Sequence, residues 1–261
     1  MTSKLARSFQ RDAGAEQSTR GFLGDPLKLP FARILQDVKQ IRVSEAYRRM
    51  VTAGACALTG GQQEALYLDA IKGLSAHDLD VVVRSFRQLV VDMDDRPYMD
   101  LLGPLYMEIN HKLDRDSGGE FFTPFALSCL LARLQVSPDA AHIFTPGEVL
   151  NCNEPTAGTG GMVLTFAEAL ADQGINPLHT RWVVQDISDR SCYGAFINTT
   201  LWGIPATVVC GNTLKVECLW SWQNVFWHAA LPWPKPEETQ AEDVRFGQVV
   251  TAMRGFLAGV A

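Results

Sequence analysis

The sequence lacks any run of about 18 consecutive apolar residues, the length that a membrane-spanning helix requires. Residues 1–20 are polar and contain no apolar core of a secretory signal. These two absences favour a cytoplasmic protein over a membrane-inserted one. Apolar residues make up 47% and charged residues 20% of the 261 positions, a balance typical of folded chains that excludes extensive disorder.

Metal-ligand spacing is missing as well. The six cysteines include no CxxC pair and no histidine at the spacing of a zinc site. Cysteine is among the most frequently buried residue types. We therefore expect free thiols, most of them buried, and no metal.

Basic charge is also scarce, because the formal net charge is −6. Phosphate contacts supply most of the non-specific affinity of proteins for DNA, so tight DNA binding by this chain alone is not expected. A local basic patch, a partner protein or an oligomer would be needed. Lys4, Arg7, Arg11 and Arg20 form the one biased basic segment, which we interpret as a flexible tail (residues 1–24) rather than a DNA-binding arm.

Helical apolar spacing dominates the first part of the chain. It runs from Phe31 to about Ala57, from Ser75 to Val91 and from Tyr98 to Leu113. Ser75 is a suitable N-cap for the second of these runs. We therefore predict a helical domain over residues 25–116.

Strands and helices alternate after Gly118 and Gly119. Pro124 suits the first turn of a helix over Phe125 to Leu134. The elements predicted next are, in order, a strand over Glu148 to Asn153, a helix over Gly161 to Gln173, a strand over Arg181 to Gln185, a helix over Ser188 to Leu201 and a strand over Ala206 to Cys210. Such alternation predicts an α/β domain with a parallel sheet, over residues 117–230. A Pro-rich linker and a C-terminal helix over Asp243 to Val260 complete the chain, over residues 231–261.

A glycine-rich loop, Glu154 to Gly161, follows one predicted strand and opens the next helix, as a ligand-binding loop of this type requires. Gly158 and Gly160 permit backbone conformations closed to other residues and let a ligand approach closely. No Lys-Ser or Lys-Thr closes the loop, which excludes a P-loop nucleotide site. Glu154 would repel a pyrophosphate and attract an ammonium group, so a cationic cofactor fits better than NAD.

Two polar residues follow the next predicted strands. Asp186 could accept hydrogen bonds from both hydroxyls of a ribose, or it could cap the following helix, a role for which Asp189 competes. Asn212 could hydrogen-bond an adenine edge, or it could belong to a plain Gly-Asn turn.

Five segments in this order resemble the methylation subunit of type I restriction-modification systems and related adenine-specific DNA methyltransferases with a helical N-terminal domain. They are Asp100 to Tyr106 (DLLGPLY), Gly119 to Pro124 (GEFFTP), Glu154 to Gly161 (EPTAGTGG), Gln185-Asp186 with Asn198, and Gly211 to Leu214 (GNTL). The resemblance implies a Rossmann-like methyltransferase domain that binds S-adenosylmethionine and acts on DNA, with a partner protein or as an oligomer.

The resemblance also implies roles for individual residues. At the methionine end of the cofactor it places Phe122, Thr123, Pro124, Glu154, Ala157, Gly158, Gly160 and Gly161. It assigns Asp186 to the ribose and Asn212 to the adenine.

The family's catalytic loop, Asn-Pro-Pro-Phe or Asp-Pro-Pro-Tyr after the fourth strand, does not occur in this sequence. That loop orients the target amine and stacks on a flipped base. The nearest candidate is Asn224-Val225-Phe226-Trp227, in which Asn224 would accept from the amine and Trp227 would stack. Alternatively, the aromatic residues of this region only cover the sheet or an interface.

Only 34 residues follow Trp227, too few for three more strands and a target-recognition region, so we expect a sheet truncated after its fourth strand. Three functions stay open. The chain is an adenine-specific DNA methyltransferase with a degenerate catalytic loop, a catalytically silent cofactor-binding relative that joins a complex, or a methyltransferase for RNA, protein or a small molecule.

Overall fold

A computed structural model describes residues 24–111, 122–136 and 139–235, together with Gly255; the side chains of residues 110 and 111 are not among those described. The predicted tail up to residue 23 and nearly all of the predicted C-terminal helix lie outside the described residues. So do Gly119, Glu120 and Phe121 of the GEFFTP segment.

Six α-helices precede the sheet in the described part of the chain. They are α1 (Pro30–Leu35), α2 (Val43–Ala57), α3 (Glu64–Ile71), α4 (Ala76–Asp95), α5 (Leu102–His111) and α6 (Phe125–Gln135). Ser75 caps α4 as predicted, because its hydroxyl accepts from the Asp78 backbone N–H over 3.1 Å.

The helical run predicted from Phe31 to Ala57 is interrupted. It divides into α1 and α2 because the buried Asp78 carboxylate accepts from the backbone N–H groups of Lys39 and Gln40, at 2.9 and 3.0 Å. These long-range bonds give the backbone N–H groups of the connecting loop their acceptors, so the loop does not need helical hydrogen bonds. The apolar periodicity of a segment cannot predict a hydrogen bond to a residue about 40 positions further along the chain, so the interruption was missed.

The sheet has four strands in the order β1 (Leu150–Glu154), β2 (Thr180–Asp186), β3 (Ala206–Cys210) and β4 (Trp220–Gln223). Helix α7 (Gly161–Ala171) connects β1 to β2, and α8 (Asp189–Leu201) connects β2 to β3. The first three strands are parallel, with Glu154 opposite Val184 and Asp186 opposite Cys210. The α/β class is therefore confirmed, and the carboxyl ends of these strands meet at one edge.

The fourth strand departs from the parallel arrangement that the alternation predicted. It pairs antiparallel with β3, placing Trp220 opposite Cys210 and Gln223 opposite Thr207. The connection of residues 211–219 contains no crossover helix, and parallel neighbours need one or an equally long segment. The end of β4 therefore lies at the amino end of β3, away from the edge where the parallel strands end.

One hydrophobic core joins the helices to the sheet. Its buried side chains come from α2, α4 and α5 on one side and from α7, α8 and β3 on the other. Helix α8 lies at its centre, with Phe196 and Ile197 fully buried. Among the described residues, no helix is long and apolar enough to cross a membrane, and no cluster of side chains could hold a metal ion.

Candidate cofactor-binding site

A cavity of about 1020 Å³ opens at the carboxyl ends of the three parallel strands. Open α/β sheets bind ligands in this position, and the volume suits a nucleoside-sized cofactor. Six of the predicted cofactor residues line it: Phe122, Thr123, Ala157, Gly158, Gly161 and Asp186.

The glycine-rich loop turns sharply between β1 and α7. Gly158 and Gly160 have φ angles of 54° and 89°, a left-handed conformation that residues with a side chain rarely adopt. The Ala157 backbone N–H donates to the Gln185 carbonyl over 2.9 Å, which fixes the start of the turn against β2. The sequence-based reason for glycine at these two positions is therefore confirmed by the backbone.

Phe122 packs directly against this loop. A Cβ atom added to Gly158 would lie 2.6 Å from Phe122 Cε1, closer than any real contact. The Phe122 ring also meets the Tyr106 ring edge-on, with centroids 6.0 Å apart. Gly158 thus serves a tertiary contact as well as a turn, and this contact holds Phe122 at the cavity.

Asp186 connects the loop to the cavity. Its Oδ2 accepts from the Gly158 N–H over 2.8 Å and its Oδ1 accepts from the Ser188 N–H over 2.9 Å. An ionised carboxylate has about four acceptor positions, so two remain for a ligand's hydroxyl groups. Helix α8 is capped by Ser188 itself, which accepts from the Ser191 N–H. Asp186 is therefore not the helix cap, which was its alternative assignment.

The structure adds a residue that sequence analysis missed. Asp100 lines the cavity, and its carboxylate accepts from Thr159 Oγ1 at 2.5 Å, Asn198 Nδ2 at 3.0 Å, and the N–H groups of Leu102 and Gly103 at 3.0 and 3.2 Å. Burial raises the pKa of this carboxyl above its ordinary value despite the four donors. The sequence feature that could have identified Asp100 was its position at the start of the DLLGPLY segment.

Asn198 belongs to the same network. Its Nδ2 donates to the Thr159 carbonyl over 2.8 Å as well as to Asp100. Asn198 Oδ1 is buried and has no hydrogen-bond partner within the described part of the chain. A buried amide held by the loop on one side and by Asp100 on the other fixes the loop between α5 and α8.

Four predicted cofactor residues, Glu154, Pro124, Gly160 and Asn212, do not line the large cavity. Glu154 faces an adjoining cavity of about 340 Å³, which shares Met162 with the larger one. Its Oε1 accepts weakly from the Thr156 N–H at 3.4 Å, and burial raises the pKa of its carboxyl. Pro124 is exposed at the start of α6, and Gly160 is buried as the N-cap of α7.

Asn212 occupies a turn. Its Oδ1 accepts from the Lys215 N–H at 3.2 Å and so caps a short 3-10 helix, Thr213–Lys215. Its own N–H donates to Glu217 Oε2 at 3.2 Å. The side chain is not among those that line the cavity. These bonds match the turn interpretation rather than a contact with adenine.

Asn224 and Trp227, the residues predicted to be catalytic, do not line the cavity. Asn224 is buried: its Oδ1 accepts from the Ala206 N–H at 3.2 Å, and its Nδ2 donates to the Ile204 carbonyl at 2.8 Å. Both partners lie at the amino end of β3. Three residues of strand lie between Asn224 and Trp220 at the cavity, and four steps of about 3.3 Å correspond to about 13 Å. Trp227 packs beneath the Arg181 guanidinium, 4.9 Å from its ring centroid, also at the amino end of the sheet.

The aromatic residues of β4 cover the sheet, as the alternative interpretation expected. Trp220 stacks on Tyr193 with ring centroids 5.2 Å apart, and Trp222 meets Phe196 edge-on at 5.5 Å. Trp220 also lines the cavity. Its position was missed because an antiparallel strand brings its first residue, not its last, to the cofactor edge.

Comparison with known protein families decides the affiliation of this fold. The family described as N-6 DNA Methylase matches residues 98–254, more than half of the chain. The chain belongs to the N-6 DNA methylase family. This confirms the resemblance drawn from the five sequence segments, with the exception of the catalytic loop.

One solved structure is also similar to this chain over part of its length. It is the type I restriction-modification system methyltransferase subunit from Streptococcus thermophilus, 19% identical over 56% of this chain, with a TM-score of 0.32. The match spans 30% of the length of that subunit. A comparison with curated proteins found no significant match.

Proposed function

We propose that this chain binds S-adenosylmethionine in the 1020 Å³ cavity and is an adenine-specific DNA methyltransferase or a degenerate relative of one. The observation that carries the proposal is the position of Asp186. Its carboxylate is bonded to the glycine-rich loop on one side and faces the cavity on the other. It thus combines the loop geometry and the ribose acceptor of a nucleoside site.

The charge of the cavity supports a cationic cofactor. Three carboxylates line it, those of Asp100, Asp186 and Asp189. The one basic side chain among the described lining residues, Arg190, lies with its guanidinium carbon 5.1 Å from the Tyr106 ring centroid. An acidic surface attracts a sulfonium and an ammonium group and repels a pyrophosphate. This agrees with the argument first made from Glu154.

S-adenosylmethionine would supply a methyl group activated by its positive sulfur. The chain's own contribution is to bind and orient it. Asp186 has free acceptor positions for the ribose, and the Gly158 and Gly161 backbone allows close approach. Asp100 and Asn198 keep the loop in place. With Asn224 at the opposite end of the sheet, no described residue is assigned to hold the target amine.

DNA as the methyl acceptor belongs to the proposal through the family. The net charge of −6 makes strong DNA binding by this chain alone unfavourable. We therefore include a partner protein or an oligomer that supplies basic surface. The salt dependence of DNA binding should be steep for such an assembly and weak for the chain alone.

Calorimetry with S-adenosylmethionine tests the cofactor site. The Asp186→Asn variant should bind at least about tenfold more weakly, because an amide replaces one acceptor oxygen and its loop contact. Asp172→Asn, at an exposed position after α7, is the matched control and should leave affinity unchanged. Equal affinity of the wild type and Asp186→Asn would remove the ribose role.

A transfer assay separates the two forms of the proposal. The chain is incubated with methyl-labelled cofactor and mixed-sequence DNA, and label is measured in adenine. The displaced positions of Asn224 and Trp227 favour the second form, a relative that binds cofactor without transferring methyl. Label in DNA would establish a working enzyme; binding without label at high protein concentration would establish the silent one.

A further inference from the structure

One face of α6 is apolar and exposed. Leu127, Leu130, Leu131 and Leu134 follow the i, i+3, i+4, i+7 pattern of a helix that buries one side, yet they are 45%, 55%, 36% and 70% exposed. We call these four side chains the leucine stripe. A compact apolar stripe of this kind usually marks a contact surface.

A groove runs beside the leucine stripe, between α6, α7 and the face of the sheet formed by β1 and β2. It is the 340 Å³ cavity, lined by Ala132 and Gln135 of α6, by Leu150 and Cys152 of β1, and by Ile143. Within the described residues, β1 pairs with β2 alone. An edge strand has unpaired backbone N–H and C=O groups, which proteins commonly protect with a helix or a loop.

The chain leaves the described fold next to this groove. Trp233 is fixed against the segment that precedes β1: its N–H donates to the Glu148 carbonyl at 2.7 Å, and its carbonyl accepts from the Gly147 N–H at 2.8 Å. Its ring stacks on Phe144, with centroids 4.4 Å apart. Ile143, the neighbour of Phe144, lines the groove.

The sequence beyond this exit has the complementary pattern. Apolar residues recur at helical spacing in the segment 243–260: Phe246, Val249, Val250, Met253, Phe256, Leu257 and Val260. Gly255 is helical and exposed, and it lies on the opposite side of this pattern. Residues 236–242 can span up to about 23 Å, and an 11-residue helix such as α6 is only about 16 Å long.

We propose that segment 243–260 of this chain packs as a helix on the leucine stripe of α6 and covers the rim of the groove at β1. The two apolar stripes then bury one another in the usual geometry of paired helices. The segment then also lies against β1, the edge strand of the described sheet.

Hydrogen exchange on the full-length chain tests the proposal. In the wild type, amides of 243–260 and of Leu127 to Leu134 should both be protected. The double variant Val250→Asp with Met253→Asp should accelerate exchange in α6 at least about tenfold, because two charges cannot be buried against leucine. The control Thr251→Asp, on the opposite face of the segment, should leave α6 unchanged.

The reciprocal variant strengthens the test. Leu130→Asp with Leu134→Asp should accelerate exchange in 243–260, while Arg133→Asp, exposed on the same helix, should not. Amides of α2 and α4 report whether each variant is folded. Exchange of 243–260 in the wild type at the rate of an unstructured peptide would overturn the proposal even if every variant failed to fold. Protection that appears only with rising protein concentration, together with a doubled mass, would assign the stripe to a second copy and also overturn it.

Discussion

Thr159 donates its hydroxyl to the Asp100 carboxylate over 2.5 Å, joining the glycine-rich loop to the turn before α5. The two residues are 59 positions apart in the chain. Thr159 is almost fully buried, and Asp100 also accepts from Asn198 of α8. The loop proposed to bind the cofactor is therefore held by the helical part of the chain and not by the sheet alone.

Replacement of Asp100 should destabilise the protein markedly. Asp100→Ala leaves four donors without an acceptor, and buried unsatisfied groups cost about 1–3 kcal/mol each before relaxation and water entry. We expect a loss of about 3 kcal/mol in the free energy of unfolding, measured by urea titration.

Asp100→Asn is the informative comparison. Its Oδ1 keeps three acceptor contacts, and its Nδ2 can donate to Thr159 if the hydroxyl rotates, so a loss below about 1 kcal/mol is expected. Asp95→Ala, at an exposed site, should change nothing. Equal losses for Asp100→Ala and Asp95→Ala would contradict a structural role for the network.

The raised pKa of Asp100 predicts a pH dependence of stability. The folded protein holds the Asp100 proton more tightly than the unfolded chain does. In the unfolded chain this carboxyl has the ordinary aspartate pKa of 3.8. The contribution of the protonated Asp100 to the free energy of unfolding is therefore greatest below pH 3.8, and it is lost as the pH rises through the raised pKa. Urea titrations from about pH 4 to pH 7 should show the difference between Asp100→Asn and the wild type changing in favour of Asn as pH rises. A constant difference would show that the pKa of Asp100 is not raised.

Replacement by alanine should be tolerated much less well at Gly158 than at Gly174. Both have left-handed backbones, with φ of 54° and 73°, so alanine costs about 1–2 kcal/mol at either site. Only at Gly158 would the new Cβ meet Phe122, at 2.6 Å, whereas at Gly174 it meets nothing within 4 Å. We expect Gly158→Ala to be the more destabilised variant, by at least about 1 kcal/mol in urea titration.

A double variant isolates the cause at Gly158. In Gly158→Ala with Phe122→Ala the clash is absent, so the combined loss should be smaller than the sum of the two single losses. Strict additivity would mean that backbone conformation alone explains the intolerance.

Asn224→Ala should reduce stability without changing cofactor affinity. The side chain bonds three backbone groups at the amino end of β3, including the Phe226 N–H at 3.2 Å. Its loss should cost about 2–3 kcal/mol in unfolding free energy. The exposed neighbour Gln223→Ala serves as the control. A selective loss of methyl transfer by folded Asn224→Ala would support the catalytic assignment instead.

One thiol should react quickly with a disulfide reagent near pH 8. Cys218 is exposed, whereas Cys56, Cys192 and Cys210 are buried. Desolvation raises the pKa of Cys56 to about 11 and that of Cys152 to about 12, which removes the reactive thiolate at that pH. Cys218→Ser should abolish the fast phase. The half-buried Cys129 of α6, whose pKa burial raises to about 11, should also react slowly, and two or more fast thiols would contradict the prediction.

The family, the α/β class and the glycine-rich loop were determined by the sequence itself. Their signals are local: helical periodicity before residue 111, alternation after residue 125, and glycines where φ is positive. The acid at position 186 was also identifiable, because it follows a strand in the same stretch of chain. Local rules of backbone geometry suffice for features of this kind.

Tertiary structure alone decided the direction of β4 and the network around Asp100. The sequence from Trp220 to Trp227 is compatible with a strand in either direction, and its pairing with β3 carried Asn224 to the wrong end of the sheet for catalysis. Asp100 receives its partners from positions 59 and 98 residues away. Periodicity and motif spacing report contacts within one element; they carry no information about which distant donors a buried carboxylate will meet.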